Sequence, residues 1–162
     1  MSKVALIMGS KSDWPSLRGC VDVLKGFEIE VEVHVASAHR TPETVAAFAA
    51  NARENGFEVI IAAAGKAAHL AGVIAGHTTL PVIGIPVKSS FMDGLDSLLS
   101  TVQMPTGIPV ATVAVGGGDN AAYLAAQMLS IKYPILAEKL LAHRERMAAA
   151  IEADDKQIQE EL

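Results

Sequence analysis

The sequence predicts an α/β fold: a three-layer α/β/α sandwich built on a flavodoxin-like parallel sheet, with a long C-terminal helix. Two observations lead to this fold class. Five short apolar runs recur along the chain, and a helical pattern separates each run from the next. Repeated strand–helix units predict parallel strands with helices on both faces, and right-handed crossovers leave few topologies. We expect the flavodoxin-like strand order 2-1-3-4-5.

The predicted strands are the five apolar runs, which span residues 4–8, 29–36, 59–64, 81–87 and 109–115. The first, third and fifth are nearly continuous in Val, Ile, Leu and Ala, which is typical of strands covered on both faces. The second alternates polar and apolar residues between positions 28 and 35. This alternation predicts an edge strand with one face in water.

The predicted helices lie between the strands, at residues 15–26, 42–55, 68–75, 93–102 and 119–129. Proline opens the first two, and Thr41 stands at the N-cap position of the second. Cys20 shares one helical face with Leu17, Val21 and Leu24, which predicts a buried thiol. As the chain's one cysteine, it excludes an internal disulfide and a multi-cysteine metal site.

The segment from Pro134 onward predicts a long helix with one apolar stripe on an otherwise charged surface. The stripe consists of Leu136, Leu140, Met147, Ile151 and Ile158. We expect residues 1–162 to form a single domain, with residues 132–162 as a C-terminal helix in subunit contacts. The alternative is that the stripe packs on its own domain.

Composition excludes several classes of protein. Of 162 residues, 51% are hydrophobic and 19% are charged, which excludes a mainly disordered chain. The net charge is −5, and residues 138–162, with seven acids against four bases, supply −3 of it. No basic stripe indicates nucleic-acid binding, and no apolar run reaches the roughly 18 residues of a membrane span. We expect a cytoplasmic protein with no metal site, since His, Asp and Cys lack metal-ligand spacing.

Polar residues gather after the predicted strands, where parallel sheets bind ligands. Residues 9–14 follow the first strand and contain two serine hydroxyls at the start of a helix. Hydroxyl groups and free backbone amides at a helix start can bind a phosphate. The alternative is that the segment only caps the helix. After the second strand, His39 supplies a proton carrier and Arg40 a fixed cation. In the alternative interpretation, that segment only caps the next helix and His39 is incidental.

The segment after the third strand, residues 62–72, is rich in alanine and glycine. Small side chains let backbone amides approach a ligand closely. The same segment contains Gly65, Lys66 and His69. Lys66 is either a Schiff-base nucleophile or, more commonly for such a position, an exposed loop lysine. Residues 88–90 and 116–120 either line the same crevice or simply turn the chain. From the residues alone, the sequence indicates a small protein that binds a phosphorylated metabolite, with His39 as its acid/base candidate.

Five segments together carry a family resemblance: residues 9–13, 37–42, 67–70, 94–100 and 102–112. In this order, over roughly residues 3–130, the chain resembles the class I 5-(carboxyamino)imidazole ribonucleotide mutase family. The resemblance implies an isomerase of de novo purine (IMP) biosynthesis that converts 5-(carboxyamino)imidazole ribonucleotide to 4-carboxy-5-aminoimidazole ribonucleotide. It also implies that the enzyme uses no cofactor and forms a homo-octamer with active sites near subunit contacts.

The resemblance also assigns roles to individual residues. It makes His39 the catalytic acid/base and has the ribonucleotide bound by Ser10, Asp13 and Arg40, with the pocket completed by Ser12, Ser37, Gly65, His69 and Leu70. Lys66 departs from the family pattern, because many relatives have a small residue there. Two alternatives stay open: a carboxylase that joins carbon dioxide directly to aminoimidazole ribonucleotide, and a non-catalytic nucleotide-binding module.

Overall fold

The computed structural model describes residues 2–162 and contains a five-stranded sheet. Its strands are β1 (Lys3–Met8), β2 (Glu30–Val35), β3 (Val59–Ala64), β4 (Val82–Pro86) and β5 (Ala111–Thr112). All neighbouring strands are parallel, and their order is β2-β1-β3-β4-β5. The predicted fold class and strand order are confirmed.

Residues 2–162 contain six helices: α1 (Trp14–Gly26), α2 (Pro42–Asn51), α3 (Leu70–His77), α4 (Leu95–Val102), α5 (Gly118–Ser130) and α6 (Pro134–Glu161). The last of them packs on α5. Short 3₁₀ turns at Lys11–Asp13 and Met92–Gly94 precede α1 and α4. One apolar core joins the sheet to α1 and α5, and a second joins it to α2 and α3. On β1, Leu6 belongs to the first core and Ile7 to the second, so the central strand is covered on both faces.

The fifth strand differs from its prediction. Only Ala111 and Thr112 pair with β4, and both are partly exposed, whereas the sequence predicted a doubly covered strand over residues 109–115. Pro109 has no N–H to donate, and β5 is the edge of the sheet, so no neighbour extends the ladder. An apolar run does not distinguish a short edge strand from a buried central one.

The helix boundaries also need correction. The second helix ends at Asn51, four residues before its prediction, because the chain turns through Gly56 at a φ of +82° before β3. The third begins at Leu70, two residues late, since residues 66–69 form a tight turn. Thr41 stands at the N-cap position but does not cap, because its hydroxyl donates to the Ser37 carbonyl at 3.1 Å.

The buried thiol is confirmed. Cys20 is completely buried within the core between α1 and α5, and burial raises its pKa to about 12. The thiol is therefore a packing group, not a nucleophile.

The C-terminal helix packs on the domain only near its start. Leu136 is buried, but Leu141, Met147, Ile151 and Ile158 are between 54% and 69% exposed. Packing on its own domain therefore accounts for the first turns of α6 and leaves the distal apolar stripe uncovered. In residues 2–162, no helix combines the length and apolarity needed to cross a membrane.

Candidate active site

A cleft of about 660 Å³ opens at the carboxyl edge of the sheet. The loops after β1, β2, β3 and β4 form its walls. The lining includes every site residue that the sequence predicted: Ser10, Ser12, Asp13, Ser37, His39, Arg40, Gly65, His69 and Leu70. A larger groove of about 880 Å³ lies at the opposite edge of the sheet, beside the start of β4. It contains none of these residues.

The loop after β1 presents hydroxyl groups at the start of a helix. The Ser12 hydroxyl lies 2.8 Å from the Ser10 hydroxyl, which also accepts the Ser12 backbone N–H at 3.3 Å. Asp13 follows, half-buried, and burial raises the pKa of its carboxyl group. The nearby Ser12 hydroxyl and the Arg40 charge oppose that rise. These groups suit the hydroxyls and phosphate of a sugar phosphate.

Arg40 connects the loops after β1 and β2. Its Nη2 donates to the Gly9 carbonyl at 2.7 Å, and its Nε donates to the Ser37 hydroxyl at 3.4 Å. A guanidinium carries five N–H groups, so these two bonds orient the plane and leave donors for a ligand. This orientation suits the binding of an anion.

Two histidines meet across the cleft. His39 Nε2 and His69 Nδ1 are 2.8 Å apart, and their rings are nearly perpendicular at 88°. This is hydrogen-bond distance, so one imidazole donates to the other. His39 follows β2 and His69 precedes α3, so the two loops meet above the end of β1, which separates β2 from β3. The arrangement can hold and pass a proton.

The sequence predicted both histidines as site residues but not their direct contact. The strand order is the feature that could have predicted this contact. In the expected strand order, the strands before the two histidines flank the first strand, so their loops converge at the same edge of the sheet.

The far wall of the cleft comes from the loops after β3 and β4. Ala64 and Ala67 present small side chains, and Lys66 lies between Gly65 and Ala67. Lys88 and Ser89 also line the cleft, held by Asp93 at 3.0 Å and Asp96 at 2.6 Å respectively. The sequence left residues 88–90 and 116–120 open. Of these, Lys88 and Ser89 line the cleft, whereas residues 116–117 turn the chain and residues 118–120 begin α5.

The cleft carries more positive than negative charge. Its lining includes three cations, Arg40, Lys66 and Lys88, and a single carboxylate, Asp13. This balance favours an anionic ligand. Within residues 2–162, no three side chains of His, Cys, Asp or Glu come together as metal ligands would.

A family model described as AIR carboxylase matches residues 3–150 of this chain. The chain belongs to the AIR carboxylase family. It is 58% identical to a Pyrococcus abyssi protein over 147 residues, which are 91% of this chain and 84% of that one. It is 57% identical to a Saccharolobus solfataricus protein over 147 residues, 91% and 93% of the two chains. Both relatives are named N5-carboxyaminoimidazole ribonucleotide mutase, so the family resemblance identified in the sequence is confirmed.

A solved structure agrees with this fold. The crystal structure of Treponema denticola PurE superimposes with a TM-score of 0.87 at 30% identity, covering 97% of this chain and 98% of that one. The match includes the sheet and its covering helices. The fold shared with that structure therefore extends over nearly the whole chain.

Proposed function

We propose that this protein is an isomerase of de novo purine (IMP) biosynthesis that converts 5-(carboxyamino)imidazole ribonucleotide to 4-carboxy-5-aminoimidazole ribonucleotide. The observation that carries the proposal is the His39–His69 pair, 2.8 Å apart in a cationic cleft. Relatives at 57–58% identity bear the name of this mutase. Proton transfer and anion binding are the two capabilities that the reaction needs.

The chemistry balances with one proton carrier. His39 donates a proton to the carbamate nitrogen as the bond from that nitrogen to the carboxyl carbon breaks, which releases carbon dioxide and aminoimidazole ribonucleotide. Ring carbon four then forms a bond to the carbon dioxide, and His39 removes the proton from that carbon. The histidine ends in the protonation state in which it began.

His69 positions this proton carrier. Its Nδ1 lies 2.8 Å from His39 Nε2, and the hydrogen bond orients the His39 ring. As His39 gains and loses its proton, His69 accepts or donates across the same contact. The pair therefore keeps the carrier aligned through both halves of the reaction.

The remaining predicted residues bind the substrate away from the reacting carbon. Arg40, with Ser10, Ser12 and Ser37, holds the phosphate, and Asp13 accepts hydrogen bonds from the ribose hydroxyls. Gly65 and Leu70 shape the wall beside the base. Binding energy at the phosphate and ribose holds the imidazole ring against His39. The small side chains of Ala64 and Ala67 leave little space for water around the released carbon dioxide.

The proposal extends to the location, cofactor use and assembly of the enzyme. It is a cytoplasmic, cofactor-independent protein of one catalytic domain that assembles as a homo-octamer. The exposed stripe on the distal part of α6 supports assembly, because exposed apolar residues that share one helix face are typical of an interaction surface. Residues 132–162 make the subunit contacts in this scheme.

Direct carboxylation of aminoimidazole ribonucleotide is the second candidate, because the family model is described as AIR carboxylase. The mutase is favoured, since relatives with that name match at 48–58% identity over most of the chain. A non-catalytic nucleotide-binding module is disfavoured, because binding alone does not require two histidines within 2.8 Å.

The test is incubation of the purified protein with the labile carbamate, following product formation above the uncatalysed background. The wild-type protein should accelerate conversion, and His39→Asn should lose a factor of about 10² to 10⁴ in kcat while still binding the product. Asparagine keeps a polar group of similar reach but cannot carry the proton. Turnover of His39→Asn within about tenfold of wild type would exclude His39 as the acid/base group.

A further inference from the structure

Lys66 has a left-handed backbone, which is unusual for a residue with a long side chain. Its φ is +56°, whereas the neighbouring Gly65 is not in the left-handed region. Glycine would adopt this conformation without steric cost, so a lysine here is disfavoured by local geometry. The loop maintains the conformation, because the Lys66 carbonyl accepts the Ala68 N–H at 2.8 Å. A strained position with a charged side chain at a binding cleft indicates a function for that side chain.

Two other charged residues with positive φ have an evident structural use. Glu28, at +59°, binds Lys139 at 2.6 Å, and Asp93, at +55°, binds Lys88 at 3.0 Å. Within residues 2–162, the Lys66 ammonium has neither a hydrogen bond nor an ion pair. The fold therefore does not use the Lys66 charge to hold itself together.

Lys66 is also the uncommitted cation of the cleft. Arg40 is bonded to the Gly9 carbonyl and to Ser37, and Lys88 is paired with Asp93. Lys66 belongs to the loop that carries His69, three residues before the histidine that contacts His39. The loop that carries Lys66 therefore reaches the histidine pair, whereas the Arg40 guanidinium is bonded to the Gly9 carbonyl in the loop after β1.

We propose that Lys66 forms an ion pair with the carboxylate that the reaction moves, and that it selects carboxylated ribonucleotides over aminoimidazole ribonucleotide. The inference rests on the proposed function, because that reaction supplies a ligand with two anionic groups at opposite ends. The lysine stays protonated, and no covalent bond to it forms or breaks. The ion pair exists in substrate and product alike and is absent from the uncarboxylated intermediate.

The test compares two ligands that differ only in the carboxylate. Calorimetry gives the Kd of 4-carboxy-5-aminoimidazole ribonucleotide and of aminoimidazole ribonucleotide for the wild type and for Lys66→Gln, Lys66→Arg and Lys25→Gln. Lys66→Gln should weaken the carboxylated ligand about tenfold and the uncarboxylated one less than twofold, and Lys66→Arg should restore the difference. Lys25→Gln, at an exposed position on α1, removes the same charge and should leave both affinities unchanged.

Two results would overturn the role of Lys66: equal weakening of both ligands, or no weakening of either. Lys66→Gly checks for misfolding, because glycine suits this φ and should keep the melting temperature at or above that of the wild type. It should nevertheless weaken the carboxylated ligand as Lys66→Gln does. If the wild type turns over the carbamate but the Lys66 variants do not change the difference in Kd between the two ligands, only this inference fails. If the wild type has no turnover, the proposed function fails.

Discussion

Replacing Gly84 with alanine tests the packing between β4 and the helices that cover it. A methyl group at Gly84 would clash with Thr101 Cγ2, lie 2.9 Å from Val110 Cγ1 and lie 3.4 Å from Ala71 Cβ. Thr101 cannot rotate away freely, because it is buried and its hydroxyl donates to the Ser97 carbonyl at 2.7 Å. The methyl group therefore requires a shift of α4 relative to β4.

The expected cost follows from two opposing effects. Overpacking of this kind costs about 1–3 kcal/mol, and the reduced freedom of the unfolded chain returns about 0.4–1 kcal/mol. The net loss should be about 1–2 kcal/mol, or roughly 2–8 °C in Tm for a chain of this size. Calorimetric or fluorescence-monitored thermal unfolding measures it directly.

A control and a rescue make this prediction specific. Gly26→Ala, at the end of α1, has no atom within 4 Å of the added carbon and should not lower Tm. Adding Thr101→Ser to Gly84→Ala removes the clashing methyl group and keeps the hydroxyl, so the double variant should be more stable than additivity of the single variants predicts. An unchanged Tm for Gly84→Ala, or strict additivity, would refute the packing argument.

Four further outcomes are expected. Arg40→Lys should raise KM with little change in kcat, since lysine lacks the planar fork; steady-state kinetics with an unchanged KM would contradict phosphate binding by Arg40. Burial raises the pKa of Asp13 above its ordinary value of 3.8, so the folded protein binds this proton more tightly than the unfolded chain does. The contribution of Asp13 to the free energy of unfolding therefore falls as pH rises through this range. Asp13→Asn should remove that slope in pH-dependent denaturant unfolding while weakening ribonucleotide binding, and an unchanged slope would contradict it. Cys20, with a pKa of about 12, should resist a thiol reagent at pH 8.5 until the protein unfolds; labelling of the native protein would contradict its burial. Light scattering should give a particle of eight 16.9 kDa chains, and a monomer at micromolar concentration would refute assembly. Truncation after Leu129 should either dissociate the particle or leave it intact, which separates a role in subunit contacts from packing on the domain.

Much of the fold followed from the sequence because the signals were local and repeated. Continuous apolar runs at 4–8 and 59–64 are confirmed as central strands. The fifth strand was overextended, because an edge position depends on which strands are neighbours and not on its own residues. The helix start at Leu70 was missed for a similar reason, since nothing in the sequence indicates that Lys66 has a left-handed backbone conformation.

The candidate site was more predictable in its members than in its contacts. Residues at strand ends must converge in a parallel sheet, so all nine predicted residues line one cleft. Which of them touch depends on loop conformation. The contact between His39 and His69 and the bond from Arg40 to the Gly9 carbonyl arise from loops that cross the end of β1, and no pattern along the chain specifies those crossings.

In the proposed function, the enzyme transfers the carboxyl group of its own substrate. The direct measurement is isotope tracing in a single turnover of unlabelled carbamate in the presence of labelled bicarbonate, with the product analysed by mass. A mutase that retains carbon dioxide in the cleft gives mostly unlabelled product. Product labelled to the level of the bulk bicarbonate pool would contradict the mutase and establish direct carboxylation of aminoimidazole ribonucleotide instead.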